Sequence, residues 1–527
     1  MGINYTQVVR RFAHMTSHVF VTNPNGTIYA YENVSYWDKQ TKTTQHNRKC
    51  VGHLDETTGE IIPNRKKGSK RSLTDTAQNC SVKGFGISLL LDHIANEIGL
   101  SKIVKSVFGD DWQQIMTCAY YLISEGTALS RVERWSAVNC APFKNILTSQ
   151  RVNELLIRIT GARQLEFFTR WIEHNRSSEY YAMDITSVSS YSELIEFVRY
   201  GRNRDKEKLP QVNVLMVSGE TSHMPLYFRV LPGSIKDVKT LCETLDTLEM
   251  INAKLLHLVM DKGFYSERNI DAMYHKHIKF IVGVPFTVGY ANELVNKARA
   301  EGIYSHENYR RVLDDEVYVK SELSNWKGHR CYTHVYYNSL KAELDNRKFD
   351  RLLYDCFIEL ETNNLSDEHK SYYQKFFHIK ETPKRGRKVE YNQEAIDTYR
   401  KNTAGWFVLI SNDVKDPVKA LEIYRLKDTA EKAFDDLKND LDCKRLRIHS
   451  TQAMDGRLFI QFIALILSAR IKHVMNEAGW FRNHDMQKVV DEMKSLREVK
   501  MGGSRKKTIT TPTAFQEKII ELFGLVV

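Results

Sequence analysis

Two apolar runs of strand length each end in an aspartate, and around them the hydrophobic period changes from helical to alternating, a pattern that few folds satisfy. Tyr180-Tyr181-Ala182-Met183 leads into Asp184, and Leu255-Leu256-His257-Leu258-Val259-Met260 leads into Asp261. Three strand-like stretches come in succession, Tyr180 to Asp184, Val212 to Ser218 and Pro225 to Leu231. The last two are joined by Gly219-Glu220-Thr221-Ser222, a connection of hairpin length. Helix and strand then alternate: a helix over Lys236 to Leu248, a strand over Leu255 to Met260, a helix over Glu267 to Tyr274 and a strand over Lys279 to Val284. Such an order predicts a mixed sheet covered by helices, an α/β core. Ligands of open α/β sheets sit beyond the carboxyl ends of strands, where both aspartates fall.

The remaining segments arrange themselves around that core. Residues 1–83 read as a basic, β-rich region, with His18 to Thr22 and Thr27 to Tyr31 flanking the turn signal Asn23-Pro24-Asn25-Gly26 and a basic linker from Arg65 to Arg71. Residues 84–176 are helical in period (Ile87, Leu90, Leu91, Ile94, Ile98) and are expected to bind DNA. The first part of the core spans 177–302. Tyrosine and charge dominate 303–403, which read as a β-rich insertion with strands near Glu316 to Leu323 and Cys331 to Tyr337. Trp406 to Ser411 returns the chain to the second part of the core, 404–476, with a long polar helix over Pro417 to Leu441 and an apolar one over Gln452 to Val474; a C-terminal region, 477–527, follows.

A length of 527 residues exceeds one ordinary core. The longest apolar stretch, Leu458 to Ala469, falls short of the roughly 20 residues of a membrane span, and the N-terminus carries no secretion signal. A soluble, intracellular protein with no membrane partner is expected. Eight cysteines are scattered without the close pairs of a zinc site, which suits reduced thiols. The net charge of +11 favours a polyanionic partner. About half of that excess lies in residues 1–83, with 12 Lys/Arg against 6 Asp/Glu. Further basic runs stand at Lys384-Arg385-Gly386-Arg387-Lys388, Lys444-Arg445-Leu446-Arg447 and Arg505-Lys506-Lys507, each of which is compatible with a solvated face.

A third acid completes the pattern. On the polar helix, Tyr424, Lys427, Glu431 and Lys438 are offset by 3, 7 and 14 residues, which at about 100° per residue places them on one stripe. Asp184, Asp261 and Glu431 together are the oxygen ligands that a pair of Mg²⁺ or Mn²⁺ ions takes, and two such ions support phosphoryl transfer on nucleic acid. Thr186 and Ser187 offer hydroxyls to phosphate or water. Ser266 is placed to cap the next helix. His275-Lys276-His277 lacks a third ligand nearby and reads as loop histidine.

With these residues in view, the chain resembles bacterial insertion-sequence transposases of the DDE class, in the group with a Tyr-x2-Arg-x3-Glu-x6-Lys signature. The signature stands here as Tyr424-x2-Lys427-x3-Glu431-x6-Lys438, with Lys427 at the Arg position. That change keeps the charge and loses the bidentate fork; Arg425 points about 100° away. Asp184-Ile185-Thr186-Ser187 and Asp261-Lys262-Gly263-Phe264-Tyr265-Ser266 look like the family's first and second acidic motifs, and Gly201 to Gln211 like its link between the first two core strands. The acids are 77 and 170 residues apart, from 261 − 184 and 431 − 261. The resemblance implies a ribonuclease H-like mixed sheet flanked by helices, two Mg²⁺ or Mn²⁺ ions held by Asp184, Asp261 and Glu431, and cut-and-paste movement of an element by a homodimer acting on double-stranded DNA, at terminal inverted repeats and at a target. It further implies a bacterial cytoplasmic, nucleoid-associated protein, phosphate contacts from Tyr424, Lys427 and Lys438, and a place for Trp326 like that of an aromatic residue that holds a flipped base. A core or hairpin Trp is the competing reading of Trp326. A haloacid-dehalogenase-type phosphatase is disfavoured because Thr186 stands where that class needs Asp. A structure-specific, metal-dependent DNA nuclease of the same fold and an inactive DNA-binding descendant remain the alternatives.

Overall fold

The computed structural model describes residues 16–24, 26–38, 40–55, 58–64, 80–192, 194–201, 203, 207–235, 237–251, 257–382, 386–446, 448, 450–501 and 507–527. The basic linker Arg65 to Arg71 lies outside them. The chain divides into two compact units, one from Met1–Ser81 with Lys500–Lys507 and one from Val82–Val499 with Thr508–Val527.

In the first unit β1 (Thr16–Thr22), β2 (Ile28–Asp38), β3 (Thr43–Leu54) and β4 (Ile61–Pro63) form an antiparallel sheet in that order. At the β1–β2 turn the Gly26 N–H donates to the Asn23 carbonyl at 2.9 Å. Gly26 has φ +85°, a conformation glycine adopts without steric cost. Phe20 and Trp37 stand exposed on the strands.

The second unit begins with β5 (Ser81–Gly84) and six helices, α1 (Gly86–Glu97), α2 (Leu100–Phe108), α3 (Trp112–Glu125), α4 (Val132–Val138), α5 (Ser149–Arg158) and α6 (Gly161–His174). Next, β6 (Tyr180–Ser190), β7 (Gln211–Gly219) and β8 (Pro225–Pro232) run antiparallel to one another. After α7 (Asp237–Met250), β9 (His257–Met260) lies parallel to β6. After α8 (Glu267–His275), β10 (Lys279–Gly283) lies parallel to β9. The helix α9 (Gly289–Ala300) leads to the expected insertion, and that segment departs from expectation in two ways. Its strands β11 (Tyr309–Val312), β12 (Asp315–Trp326) and β13 (His329–Tyr337) extend the main sheet, because β13 pairs with β16 (Trp406–Ser411) and β16 with β10. Its second half is largely helical, with α10 (Ser339–Thr362), α11 (Lys370–Phe376), the hairpin β14 (Phe377–Thr382) and β15 (Gly386–Tyr391), and α12 (Gln393–Thr403). The resulting strand order is β11-β12-β13-β16-β10-β9-β6-β7-β8, with β17 (Arg445–Leu446) beside β6.

The expected polar helix is not continuous. It forms α13 (Pro417–Leu426), breaks at Lys427, resumes as α14 (Asp428–Asp435) and ends in a π turn, Asp436–Asp440. Beyond it α15 (Thr451–Glu477), α16 (Met486–Lys494) and α17 (Ala514–Phe523) complete the unit. By length and composition α15 could cross a membrane, yet 78% of its most apolar stretch is buried inside the unit. It packs on α3 and α5 on one side and on β8 on another. Phe459 meets Phe108 and Phe167 with ring centroids 5.1 Å away, and Phe462 lies 5.1 Å from Phe228 of the sheet. Residues 84–176 therefore share one hydrophobic core with the sheet and are not a separate domain.

At the β7–β8 hairpin, Glu220 is buried; desolvation, helped by the charge of Glu179, pushes its carboxyl up to about 7. A raised carboxylate pKa means that the folded state binds the proton more tightly than the unfolded one, so stability is lost as pH rises through the window from about 4.5 to 7. Glu220→Gln should remove this loss. Denaturant titrations should show the variant more stable than the parent at pH 8 and about equal at pH 4; equal stability at both would contradict the assignment.

Candidate active site

The register of two parallel strands brings the first two acids together. Tyr180 pairs with His257, and the pairing runs on to Met183 with Met260, so Asp184 and Asp261 are the next residues along on adjacent strands. Side chains alternate along a strand, and Tyr180, Val259 and Ile281 face a cluster with Ala420, Leu421 and Ile423 of α13. Asp184, Asp261 and Gly283 follow these at even spacing and occupy the same face. On this edge β6 loses β9 as its partner after Met183 and gains β17 only at Ser189. The acids thus lie where the sheet splits, at the point where strand order reverses.

Asp184 is half-buried, and its Oδ1 accepts the Ile185 N–H at 2.7 Å. Asp261 directly follows β9 and precedes a single 3₁₀ turn, Lys262–Phe264; then Ser266 caps α8 by accepting the Asn269 N–H at 3.1 Å. Two groups from the helix above bear on Asp261. The Tyr424 hydroxyl donates to Asp261 Oδ1 at 2.9 Å, and Lys427 Nζ stands 3.9 Å from the same oxygen and 5.1 Å from the centre of the Tyr424 ring. Burial alone would raise the Asp261 carboxyl; the Lys427 ammonium, the Tyr424 hydroxyl and Lys262 outweigh it and hold the group below the usual carboxylate range. Asp261 is therefore ionised at neutral pH.

Glu431 comes from α14, which continues from α13 and packs over β6 and β7. Its side chain is exposed. Two of these carboxylates come from the sheet and one from the helix that covers it; among the described residues the three do not bring their ligand atoms within 4.8 Å of one another, and their donor type, oxygen throughout, is the one that suits Mg²⁺ or Mn²⁺.

Other expected site residues are placed differently. Thr186 and Ser187 are buried, so their hydroxyls are not open to phosphate. Lys438 lies in the π turn and is buried. Trp326 ends β12 with its Nε1 donating to Asp271 Oδ1 at 2.8 Å and its ring edge-on to Tyr265 and Tyr290, which makes it a packed hairpin residue. Arg425 pairs with Asp315 at 2.7 Å and covers the Phe407 ring, away from the acids. Among the described residues, His275 and His277 join no group of three metal-ligating side chains.

Residues 176–467, more than half of the chain and all three acids, match the family model described as Transposase DDE domain. The chain belongs to that family. A solved structure titled "Cryo-EM structure of piggyBac transposase synaptic complex with hairpin DNA" is 9% identical and covers 77% of this chain and 76% of its own, with a TM-score of 0.36, too low for a fold assignment. No curated protein matches.

Gly283 is a residue of this DDE domain that the sequence pattern did not single out. A Cβ there would lie 2.9 Å from the Tyr424 hydroxyl and 3.2 Å from the Lys262 nitrogen. Its lack of a side chain lets the tyrosine reach Asp261; the available signal was a glycine in register with the two acids at the end of the next parallel strand. Groups that orient a metal-binding carboxylate are commonly worth about 10–100-fold in metal affinity or activity. Tyr424→Phe should lower Mn²⁺ affinity by about that factor with an unchanged melting temperature, and Gly283→Ala should act in the same direction. Unchanged Mn²⁺ affinity in Tyr424→Phe would show that the hydroxyl does not orient Asp261.

Proposed function

We propose that this member of the DDE family is the transposase of a bacterial insertion sequence, which cleaves DNA at the element's terminal inverted repeats and joins the freed 3′-OH to a target, cut-and-paste fashion. The observation that carries the reading is that Asp184 and Asp261 each follow the last pair of the β6–β9 ladder, at the split of the sheet, beneath the helix that bears Glu431. A ribonuclease H-like core is supported by the order β8-β7-β6-β9-β10, with the first three strands antiparallel and β9 and β10 parallel to β6.

Asp184, Asp261 and Glu431 would hold two Mg²⁺ or Mn²⁺ ions, which when bound activate the attacking oxygen and offset charge on the leaving oxygen. The chain's own contribution is positional. Tyr424 and Lys427 keep Asp261 ionised and oriented, and Gly283 leaves room for that contact. Lys427 lies where it could also meet the phosphate next to the scissile bond, whereas a DNA role for Trp326 or Lys438 would require breaking the packing each has now. The protein would work as a homodimer on nucleoid DNA in the cytoplasm. Incubation with the element's ends, a target plasmid and Mg²⁺ should give joined products; cleavage without joining would favour a nuclease of the same fold.

Charge excess assigns recognition of the terminal repeats to the first unit. Because residues 84–176 share the sheet's core, a truncation that tests this must end before β5. A chain that starts at Cys80 should keep its cooperative melt and lose discrimination between terminal-repeat and random DNA in a binding titration. Undiminished discrimination would move recognition into the second unit.

A further inference from the structure

The second half of the inserted segment carries a small core of its own, nine buried residues that include Phe349, Leu353, Cys356, Tyr373 and Phe376. So few apolar side chains supply limited stability, and small folds often add a metal or other cross-link. At the edge of this core three metal-ligating side chains converge. Cys356 and Glu359 are three residues apart on α10 and share a face. The helix ends at Asn363 in the left-handed conformation, φ +55°, and the chain returns through a 3₁₀ turn that ends at His369. Each of Cys356, Glu359 and His369 offers a ligand atom within 4.8 Å of the other two, which occurs in no other group of three among the described residues. The thiol is fully buried, while Glu359 and His369 are about a quarter exposed, at 24% and 23%, so an ion could enter from their side. Glu359 Oε2 accepts from His369 Nδ1 at 2.8 Å and from the Tyr373 hydroxyl, which in turn accepts the Ser366 N–H at 3.0 Å.

We propose that Cys356, Glu359 and His369 bind one Zn²⁺ ion that staples α10 to α11, with water in the fourth position. The donor set decides the metal. A thiolate, an imidazole and a carboxylate suit tetrahedral Zn²⁺, whereas Mg²⁺ takes oxygen ligands in octahedral geometry. On binding, the thiol releases its proton to solvent, and the direct His369–Glu359 hydrogen bond is exchanged for coordination by both. Tyr373 keeps its bond to Glu359 and orients the carboxylate, as hydrogen-bonded neighbours of metal ligands commonly do. The site is built from residues other than Asp184, Asp261 and Glu431 and does not depend on the catalytic reading.

The test uses the full chain, stripped with a chelator and then dialysed against Zn²⁺ or Co²⁺ in excess Mg²⁺. One tightly held Zn²⁺ per chain is expected, and Co²⁺ should show a thiolate-to-cobalt charge-transfer band that an all-oxygen site cannot produce. Cys356→Ser should abolish the band. His369→Gln, on the more exposed turn, should lower Zn²⁺ affinity by more than the roughly 10–100-fold expected for Tyr373→Phe. Absence of the band in the parent chain, or its survival in Cys356→Ser, overturns the proposal. Where Cys356→Ser does not fold, His369→Gln decides, and Zn²⁺ affinity equal to the parent's overturns it.

Discussion

Asp184→Asn and Asp261→Asn should each reduce DNA strand cleavage by roughly a thousandfold or more and leave the melting temperature unchanged. Metal ions at a phosphoryl centre supply several kcal/mol of transition-state stabilisation, and every 1.36 kcal/mol or so is a factor of ten in rate. Neither aspartate supports the fold in a way Asn cannot replace. Asn at 261 keeps the size of the side chain and can still accept the Tyr424 hydroxyl, and the charge contact it loses, Lys427 Nζ at 3.9 Å, is long and partly exposed, so it is worth little to the fold. Glu431→Gln should behave similarly because its exposed side chain contributes little to the core. The check is cleavage of end-labelled DNA alongside a thermal melt. A variant that melts normally and cleaves within tenfold of the parent would remove its residue from the metal-binding set.

Gly456→Ala should be the most damaging small substitution outside the site. Gly456 lies on α15 where it crosses α5, and a Cβ there would fall 2.1 Å from the Leu156 carbonyl oxygen and 2.8 Å from that residue's Cα. Those are backbone atoms, so relief requires the two helices to separate. Overpacking typically costs about 1–3 kcal/mol and occasionally more, and here it acts at the joint between the helical region and the sheet. Gly161, at the start of α6, is the matched control, since a Cβ there meets nothing within 4 Å. Gly161→Ala should be neutral or stabilising by up to about 1 kcal/mol. Comparable denaturation midpoints for the two variants would refute the close crossing.

What could be read from the chain alone follows the range of the interactions involved. The strand period is local, so the apolar runs into Asp184 and Asp261 announced both strands; Asp261 follows β9 directly, whereas β6 runs on to Ser190 because it keeps β7 as a partner, so Asp184 lies within its strand and not at its end. Parallel register then set their adjacency. Ser266 as a helix cap was equally local. The helix α10 was legible and went unread: Ala342, Phe349, Leu353, Cys356 and Leu360 repeat at helical spacing and are its buried residues, but the tyrosine and charge around them suggested strands. Other features depend on distant partners. The apolar run in α15 signalled burial without saying that α3 and α5 would cover it along with β8. The Tyr424 hydroxyl meets a carboxylate 163 positions away, which a stripe on a helix cannot specify. The π turn and the burial of Lys438 within it were not legible either, since a count at about 100° per residue assumes an unbroken α-helix.

The central claim is that Asp184, Asp261 and Glu431 form one divalent-ion site. Anomalous diffraction from crystals of the chain soaked in Mn²⁺ tests it most directly. Anomalous density is expected between these three carboxylates, and none in Asp261→Asn crystals treated identically. Density held by other residues, or none at the split between β6 and β9 at saturating Mn²⁺, would contradict it.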